Sequence, residues 1–522
     1  MKKIISILTI SGFFLITNSC SDKFEEIDVN PNSTENPLPT GLFNNANKEY
    51  MDFTRDGWVS GRMMLPWVQY SAQRQYTEED RYQYRLTTDD QLWRRSYYVA
   101  NDYKKIISLN TDPATAAQMS NYGSNKNQIA ASRIMLSYVF LNLVDSFGDI
   151  PYWSYGNQDP DFQALDVDKY IQPKFASQQK IYADIMKELK EASEMIELDK
   201  NILTEGDQLF GGDPEKMKKF ANSLRLRVAT RVKGVIPTAT AHITDAIASG
   251  VMTSNDDTVG LTYENNLVNP SPFFLTYQSR SDFAISKTFV QLLKGETGGF
   301  TEDPRLFKYA SPVSVKIGNI RGQTMTEATS ASQISGMPYG VPSTLAPSQA
   351  GVSSFFGASV LKPAYTEVFM EYAEVEFLLA EANGWSQANY INGVEASMER
   401  WGITQAKIDA FVGALPAANK QNVLTQKYIA LFMQPSEAWA EYRRTGYPNT
   451  LLLPGQTANL NVPSATGQTS YTFTSLIAGL TDVPNRIFYP TQVQTLNTAN
   501  YQAASTSIGG DKMSTKLIWD TN

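Results

Sequence analysis

The stretch QPSEAWAEYRRTGYPN, residues 434–449, sets Glu437, Trp439, Tyr442 and the pair Arg443–Arg444 within about three helical turns, with Gly and Pro behind them. A carboxylate beside two guanidiniums can orient a substrate; it can equally tie one helix to its neighbours through a buried charge network. Glycoside hydrolysis needs only two Asp or Glu at a suitable separation. Asp145 with Asp149 in VDSFGDIP, and Glu371, Glu374 and Glu381 on one helical face, offer such carboxylates. Helix-end capping and turn formation account for the first pair, and an Arg-paired or solvated face for the second. The alternating acids of DPDFQALDVD, Asp159 to Asp168, lack the glycine and the spacing of a calcium loop. The one histidine, His242, falls on an amphipathic pattern where a surface or packing role suits it. The chain has no Gly-x-Ser-x-Gly elbow, no Cys/His cluster for zinc, no Walker loop and no dinucleotide fingerprint. No cofactor, no metal site and no catalytic residue is expected.

Aromatic residues are the richer signal. Between Gly57 and Tyr98 the sequence places Trp58, Trp67, Tyr70, Tyr76, Tyr82, Tyr84, Trp93, Tyr97 and Tyr98. Further groups are Phe273, Phe274, Tyr277 and Arg280, then Tyr339, Phe355 and Phe356. Sugars present flat C–H faces to rings and hydroxyls to amides and charged groups, so ring-plus-polar surfaces suit glycans. Rings serve cores and protein interfaces as well. From composition and loop context, ligand contacts are expected at Trp67, Tyr70, Trp93, Tyr277, Arg280, Tyr339 and Phe356, with packing as the competing role for each ring.

These side chains must be held by a large body. The 522 residues are 42% hydrophobic and 19% charged, with a net charge of −8, so there is no global basic field for nucleic acid. At the N-terminus Lys2 and Lys3 precede the apolar run Ile4–Ile16, too short for an ordinary span, and then TNSC ending at Cys20. This predicts a lipoprotein signal over residues 1–19 and acylation of Cys20, the chain's only cysteine; a plain cleaved signal with an incidental cysteine is the alternative. Residues 20–40, acidic and then rich in Asn, Pro and Thr, read as a tether. Residues 41–522 read as a single body.

Helical periodicity dominates that body. Ile181, Ile185, Leu189, Ala192 and Ile196 form one apolar stripe. Ile129 to Val144 is apolar nearly all round and predicts a central helix, ended by Gly148 and Pro151. Asp213 and Pro214 open a helix carrying Met217, Phe220, Leu224 and Val228 inward. EVFMEYAEVEFLLAEANGW and KQNVLTQKYIALFMQPSEAWAEYRR predict two more long helices. Periodicity fades over about 251–363 and again over about 453–483, where Ser, Thr, Gly, Pro and aromatics prevail and runs such as SPVSVKIG suggest short strands. The predicted fold is mainly α, a scaffold of helix pairs of tetratricopeptide size with large loop-rich insertions, although no clean 34-residue repeat is present.

The order of these pieces resembles the SusD/RagB-like family of nutrient-binding outer-membrane lipoproteins. The matching strings are EEIDVNPN, RIMLSYVFLNLVDSFGDIPYW, KKFANSLRLRVATRV, MEYAEVEFLLAEAN, QKYIALFMQPSEAWAEYRRTGYPN, VPNRIFYPTQVQTLN and KLIWD. The resemblance implies a TPR-like helical fold and a cell-surface, lipid-anchored location. It also implies a partner, a SusC-like TonB-dependent barrel on which the protein acts as a lid, importing oligosaccharide or, in some relatives, peptide, without catalysis. A helical carbohydrate-active enzyme using paired carboxylates stands as the competing class. Within the shared helical strings Asn222, Arg225, Glu374, Trp439, Arg443 and Arg444 are expected to be structural, with Arg443 or Arg444 paired to a carboxylate of a neighbouring helix.

Overall fold

In the computed structural model, residues 37–520 are described. The expected signal, the Cys20 acylation site and the tether up to residue 36 lie outside them.

The six longest helices of the first half are α1 Pro39–Thr54, α2 Leu86–Thr111, α3 Asn125–Phe147, α4 Gln178–Met195, α5 Pro214–Val232 and α6 Ala239–Ala248. Each packs on the next, so the chain builds its core pair by pair. Local sequence sets the boundaries. Ser124 and Ser177 cap α3 and α4 through side-chain oxygens, and Asp213 accepts from the backbone N–H groups of Glu215 and Lys216 ahead of Pro214. Gly148, at φ +88°, ends α3. That helix is apolar and long enough to cross a membrane, yet 94% of its most apolar window is buried within the fold, as suits a central helix. The α4 stripe of Ile181, Ile185, Leu189 and Ala192 is fully buried, giving one of the seams of the core.

After a short helix, α7 Pro272–Ser279, a second set follows: α8 Tyr372–Ala382, α9 Gln387–Arg400, α10 Lys420–Ala430 and α11 Pro435–Thr445. Helix α8 packs on α9 and α10 and also on α5, which joins the two sets. Two expected boundaries are corrected. EVFM is not helix but part of a strand, and the helix begins at Tyr372. The long pattern ending in YRR is two helices, because Pro435 supplies no N–H to continue the first and Met433 turns into the left-handed region at φ +69°.

Short antiparallel strand pairs pin the loop-rich regions to the scaffold: β1 Ser71–Gln73, β2 Val259–Thr262, β3 Phe283–Ile285, β4 Thr366–Met370, β5 Thr457–Asn459 and β6 Ser470–Thr472 pair as β1 with β3, β2 with β4 and β5 with β6. SPVSVKIG is not a strand. Pro312 accepts from Val315 N–H in a turn, and a short helix begins at Ile317. One hydrophobic core runs from Phe43 to Trp519 and includes many aromatic residues of the loop-rich regions. The fold is mainly α and TPR-like.

The stretch around Trp439 lies deep in this core. Helix α11 carries Glu437, Glu441 and Arg444 into a charge network shared with α3, α5, α8 and α10. Arg231 of α5 contacts Asp145 at 2.5 Å and also Glu437; Arg227 binds Glu374 at 2.5 and 2.7 Å; Lys427 meets Glu441 at 2.8 Å. Arg444 reaches both oxygens of Glu381 on α8 at 2.9 and 2.7 Å. Arg443 behaves differently: it lies 3.5 Å over the Trp439 ring and donates to the main-chain oxygens of Asp145 and Asn485. On α5, Asn222 donates to the carbonyls of Ser249 and Gly250, and Arg225 to Asp245 at 2.6 Å, fixing the turn after α6.

Candidate functional site

A cleft of about 340 Å³ opens between the C-terminal end of α1, the turn that follows it and α7. Its walls include Lys48, Asp52, Asp56, Trp58, Asn269, Leu275 and Arg280. The turn is written in the sequence Asp-Gly-Trp. Asp56 accepts from the backbone N–H groups of Trp58 at 2.7 Å and Val59 at 2.9 Å, an Asx turn that brings the indole to the surface. Gly57 is required because a Cβ there would stand 2.4 Å from Thr276 of α7. Trp58 is half-buried. Three guanidiniums face its ring: Arg62 at 5.0 Å, Arg85 at 5.3 Å and Arg280 at 5.4 Å. Tyr76, 46% exposed, offers a second ring within 5.0 Å of Arg62 and 5.8 Å of Arg85. Leu275 and Val268 supply an exposed apolar rim.

The charges are anchored from below. Arg62 is buried and donates to both oxygens of Glu79 at 2.8 and 3.0 Å and to Asp282 at 2.7 Å. On the opposite wall Asp52 is held by Lys48 at 2.5 Å and by the Tyr263 hydroxyl at 2.6 Å. Burial pushes the Asp56 carboxyl up to about 6, against the Val59 and Trp58 amides and the Gln91 side chain, which favour its ionised form. The Trp58 ring, polar donors and carboxylate acceptors thus meet in one concave surface, with Tyr76 and Arg85 beside it.

Of the seven residues expected at a ligand site, only Arg280 lines this cleft. Trp67, Tyr70, Tyr277 and Phe356 have no exposed surface, and Tyr339 almost none. As ligand contacts these five are corrected to core residues. Trp67 packs on Trp439 at 5.0 Å; Tyr70 stacks on Tyr428 at 4.6 Å and donates to its carbonyl; Tyr277 donates to the Phe283 carbonyl at 3.0 Å; Phe356 meets Phe273 at 5.0 Å. Tyr339 packs on Phe473 at 5.3 Å beside a separate hollow of about 290 Å³. Trp93, 8% exposed, borders an apolar groove with Tyr97, Tyr98 and Leu496, away from the cleft. Two causes are at work: Trp67, Tyr70 and Trp93 pack against rings of the helical scaffold, while Tyr277, Tyr339 and Phe356 fill a core that the loop-rich regions need for themselves. Trp58, Arg62, Tyr76 and Arg85 were the residues missed. The Asp-Gly turn before Trp58, at the end of a helical pattern, was the signal that could have found the platform.

The acidic pairs do not make a catalytic groove. Asp145 is held by Arg231 and Tyr182, Asp149 accepts from Gln178, Glu371 pairs with Arg400, Glu374 with Arg227, and Glu381 with Lys233 and Arg444. Asp159 and Asp161 pair with Lys180, and Asp161 also with Lys174. Among the described residues no cluster of three or more His, Cys, Asp or Glu is placed to hold a metal ion.

Comparison with solved structures extends over nearly the whole chain. A chitin-binding protein matches at 26% identity with a TM-score of 0.69, covering 93% of this chain and 100% of its own. A Bacteroidetes SusD-like protein, AC2a, matches at 22% identity and TM-score 0.72, again over 93% and 100%. A chitin-binding SusD homolog from Flavobacterium johnsoniae matches at 21% identity and TM-score 0.67, over 93% and 99%. No curated protein matches the chain. Residues 31–467 match the family model SusD-like, described as starch-binding and associating with the outer membrane. The match covers most of the sequence, and the chain belongs to the SusD-like family.

Proposed function

We propose that the protein is a cell-surface lipoprotein that binds oligosaccharide at the Trp58 cleft and acts as the lid of a SusC-like TonB-dependent transporter, anchored in the outer membrane through Cys20. One observation carries the reading: a half-buried indole stands at the mouth of a 340 Å³ cleft with Asp56, Asn269 and Arg280 around it. A pyranose can lay its C–H face on the ring while its hydroxyls meet those polar groups. Family membership and the chitin-binding relatives support a glycan over a peptide, which would be recognised mainly along its backbone. No bond-breaking step is assigned, because the cleft carboxylate Asp52 is held by Lys48 and Tyr263 and is not poised against Asp56 as a free partner.

Calorimetry of the mature protein against chito- and malto-oligosaccharides and short peptides tests the reading, with product analysis of each mixture. Glycan binding without product is expected, and Trp58→Ala should weaken it by about 2 kcal/mol, roughly thirtyfold. Peptide binding alone, or sugar cleavage, refutes it. Affinity capture of the native lipoprotein from outer membranes should bring down a TonB-dependent barrel.

A further inference from the structure

Three guanidiniums face Trp58, and only two carboxylates serve them. Arg62 engages both oxygens of Glu79 and one of Asp282. The outer arginines are left with what remains. Arg85 Nε stands 3.8 Å from Glu79, beyond hydrogen-bonding distance, and Arg280 makes a single bond of 3.2 Å to Asp282. Their side chains are 49% and 39% exposed. A guanidinium carries five N–H donors, so most of those on Arg85 and Arg280 are left without a protein hydrogen bond around the ring. The carboxylates of the opposite wall are not bonded to these donors. Asp52 is matched by Lys48 and Tyr263, and Asp56 directs its oxygens to the amides of Trp58 and Val59 and to Gln91. The carboxylates around the cleft are taken up by Arg62, Lys48 and neutral donors, while the rim of the indole carries open, planar, fork-shaped donors that match a carboxylate.

Resting on the glycan reading above, we infer that the Trp58 cleft selects an acidic glycan, one whose sugar ring stacks on Trp58 while its carboxylate accepts from the open donors of Arg85 or Arg280. This separates the chain from relatives named for chitin, a neutral polymer. A peptide rich in glutamate would offer the same carboxylate, but it lacks the flat C–H face for which the half-buried indole is placed.

Calorimetry with tetragalacturonate, chitotetraose and tetraglutamate tests the inference on the mature protein. Tetragalacturonate is expected to bind about tenfold tighter than chitotetraose at low ionic strength. That ratio should fall toward one at about 1 M salt, where the screening length is about 3 Å. Arg85→Gln and Arg280→Gln should each lower the ratio, with melting curves checking that both variants fold; the salt series on the unaltered protein needs no variant. Equal or tighter binding of chitotetraose overturns the acidic preference and leaves the glycan reading standing. Binding of tetraglutamate above both sugars overturns the two together, as does failure of every sugar to bind.

Discussion

Replacing Arg231 by Met removes the central cation of the buried network while keeping much of its volume. Arg231 has no exposed side-chain surface; it contacts Asp145 of α3 at 2.5 Å, also Glu437 of α11, and lies 3.9 Å from Glu441. Without it Asp145 keeps the Tyr182 hydroxyl at 2.6 Å, and Glu437 keeps only Arg227 at 3.5 Å, itself engaged by Glu374. Leaving buried carboxylates without their counter-charge costs about 3–5 kcal/mol. Unfolding entropy of about 2.1 cal/mol/K per residue over nearly 500 residues is about 1 kcal/mol/K, so the melting temperature should fall by about 3–5 °C. Scanning calorimetry and a urea titration read the two quantities. Arg231 also holds the Asp145 carboxyl down against the burial that raises it. Its loss lets that carboxyl take up a proton more readily, so the deficit against wild type should shrink as pH is lowered. Adding Glu437→Gln to the Arg231→Met protein should recover part of the loss, since an amide needs no counter-charge. A single variant that melts with the wild type, or a double variant no better than the single, refutes the account of α11 as a charge-tied strut.

Two further outcomes follow from the same core. Glu367 on β4 and Glu371, between β4 and α8, are fully buried, and burial pushes both up from 4.5 to about 7. The folded state therefore holds protons that the unfolded chain has released between those values, and their contribution to stability declines as pH rises through that window; Glu367→Gln with Glu371→Gln should flatten the decline in urea midpoints, and an unchanged slope would count against it. Tyr277→Phe removes the hydroxyl that donates to the Phe283 carbonyl and should cost about 1 kcal/mol of stability with oligosaccharide affinity unaltered; lost affinity at wild-type stability would return Tyr277 to the binding surface.

The scaffold was legible because periodicity is a local property. The Ile181–Ile185–Leu189 stripe, the all-round apolar helix ending at Gly148 and the Asp213–Pro214 start each carry their meaning within a few turns. Where a boundary depended on backbone conformation rather than period, as at Met433–Pro435 or in EVFM, the pattern ran through it. The cleft was less legible because its exposure depends on distant partners. Tyr70 is buried by Tyr428 and Trp67 by Trp439, partners hundreds of positions away, and no spacing within residues 57–98 distinguishes those rings from Trp58. Arg280 fell in the cleft because it follows α7 directly, in a segment that must leave the helix toward the surface.

Among the arginine–tryptophan contacts of this molecule, those at Trp439 and Trp58 have opposite meaning, and the difference lies in the hydrogen bonds. Arg443 lies on Trp439 with its Nε bonded to the Trp439 carbonyl and its Nη1 to those of Asp145 and Asn485, and the whole group is sealed from water. That pair has no open donor to offer a ligand: Nε and Nη1 are bonded to protein carbonyls, and Nη2 is buried without a hydrogen-bond partner. Around Trp58 the order is reversed. The buried Arg62 occupies the available carboxylates, so the two arginines nearer solvent keep most of their donors open beside a half-buried ring. Sequence composition scores the two arrangements alike. Only the count of engaged donors against exposed ones separates a strut from a binding surface, and it assigns the YRR stretch to the first and the Asp-Gly-Trp turn to the second.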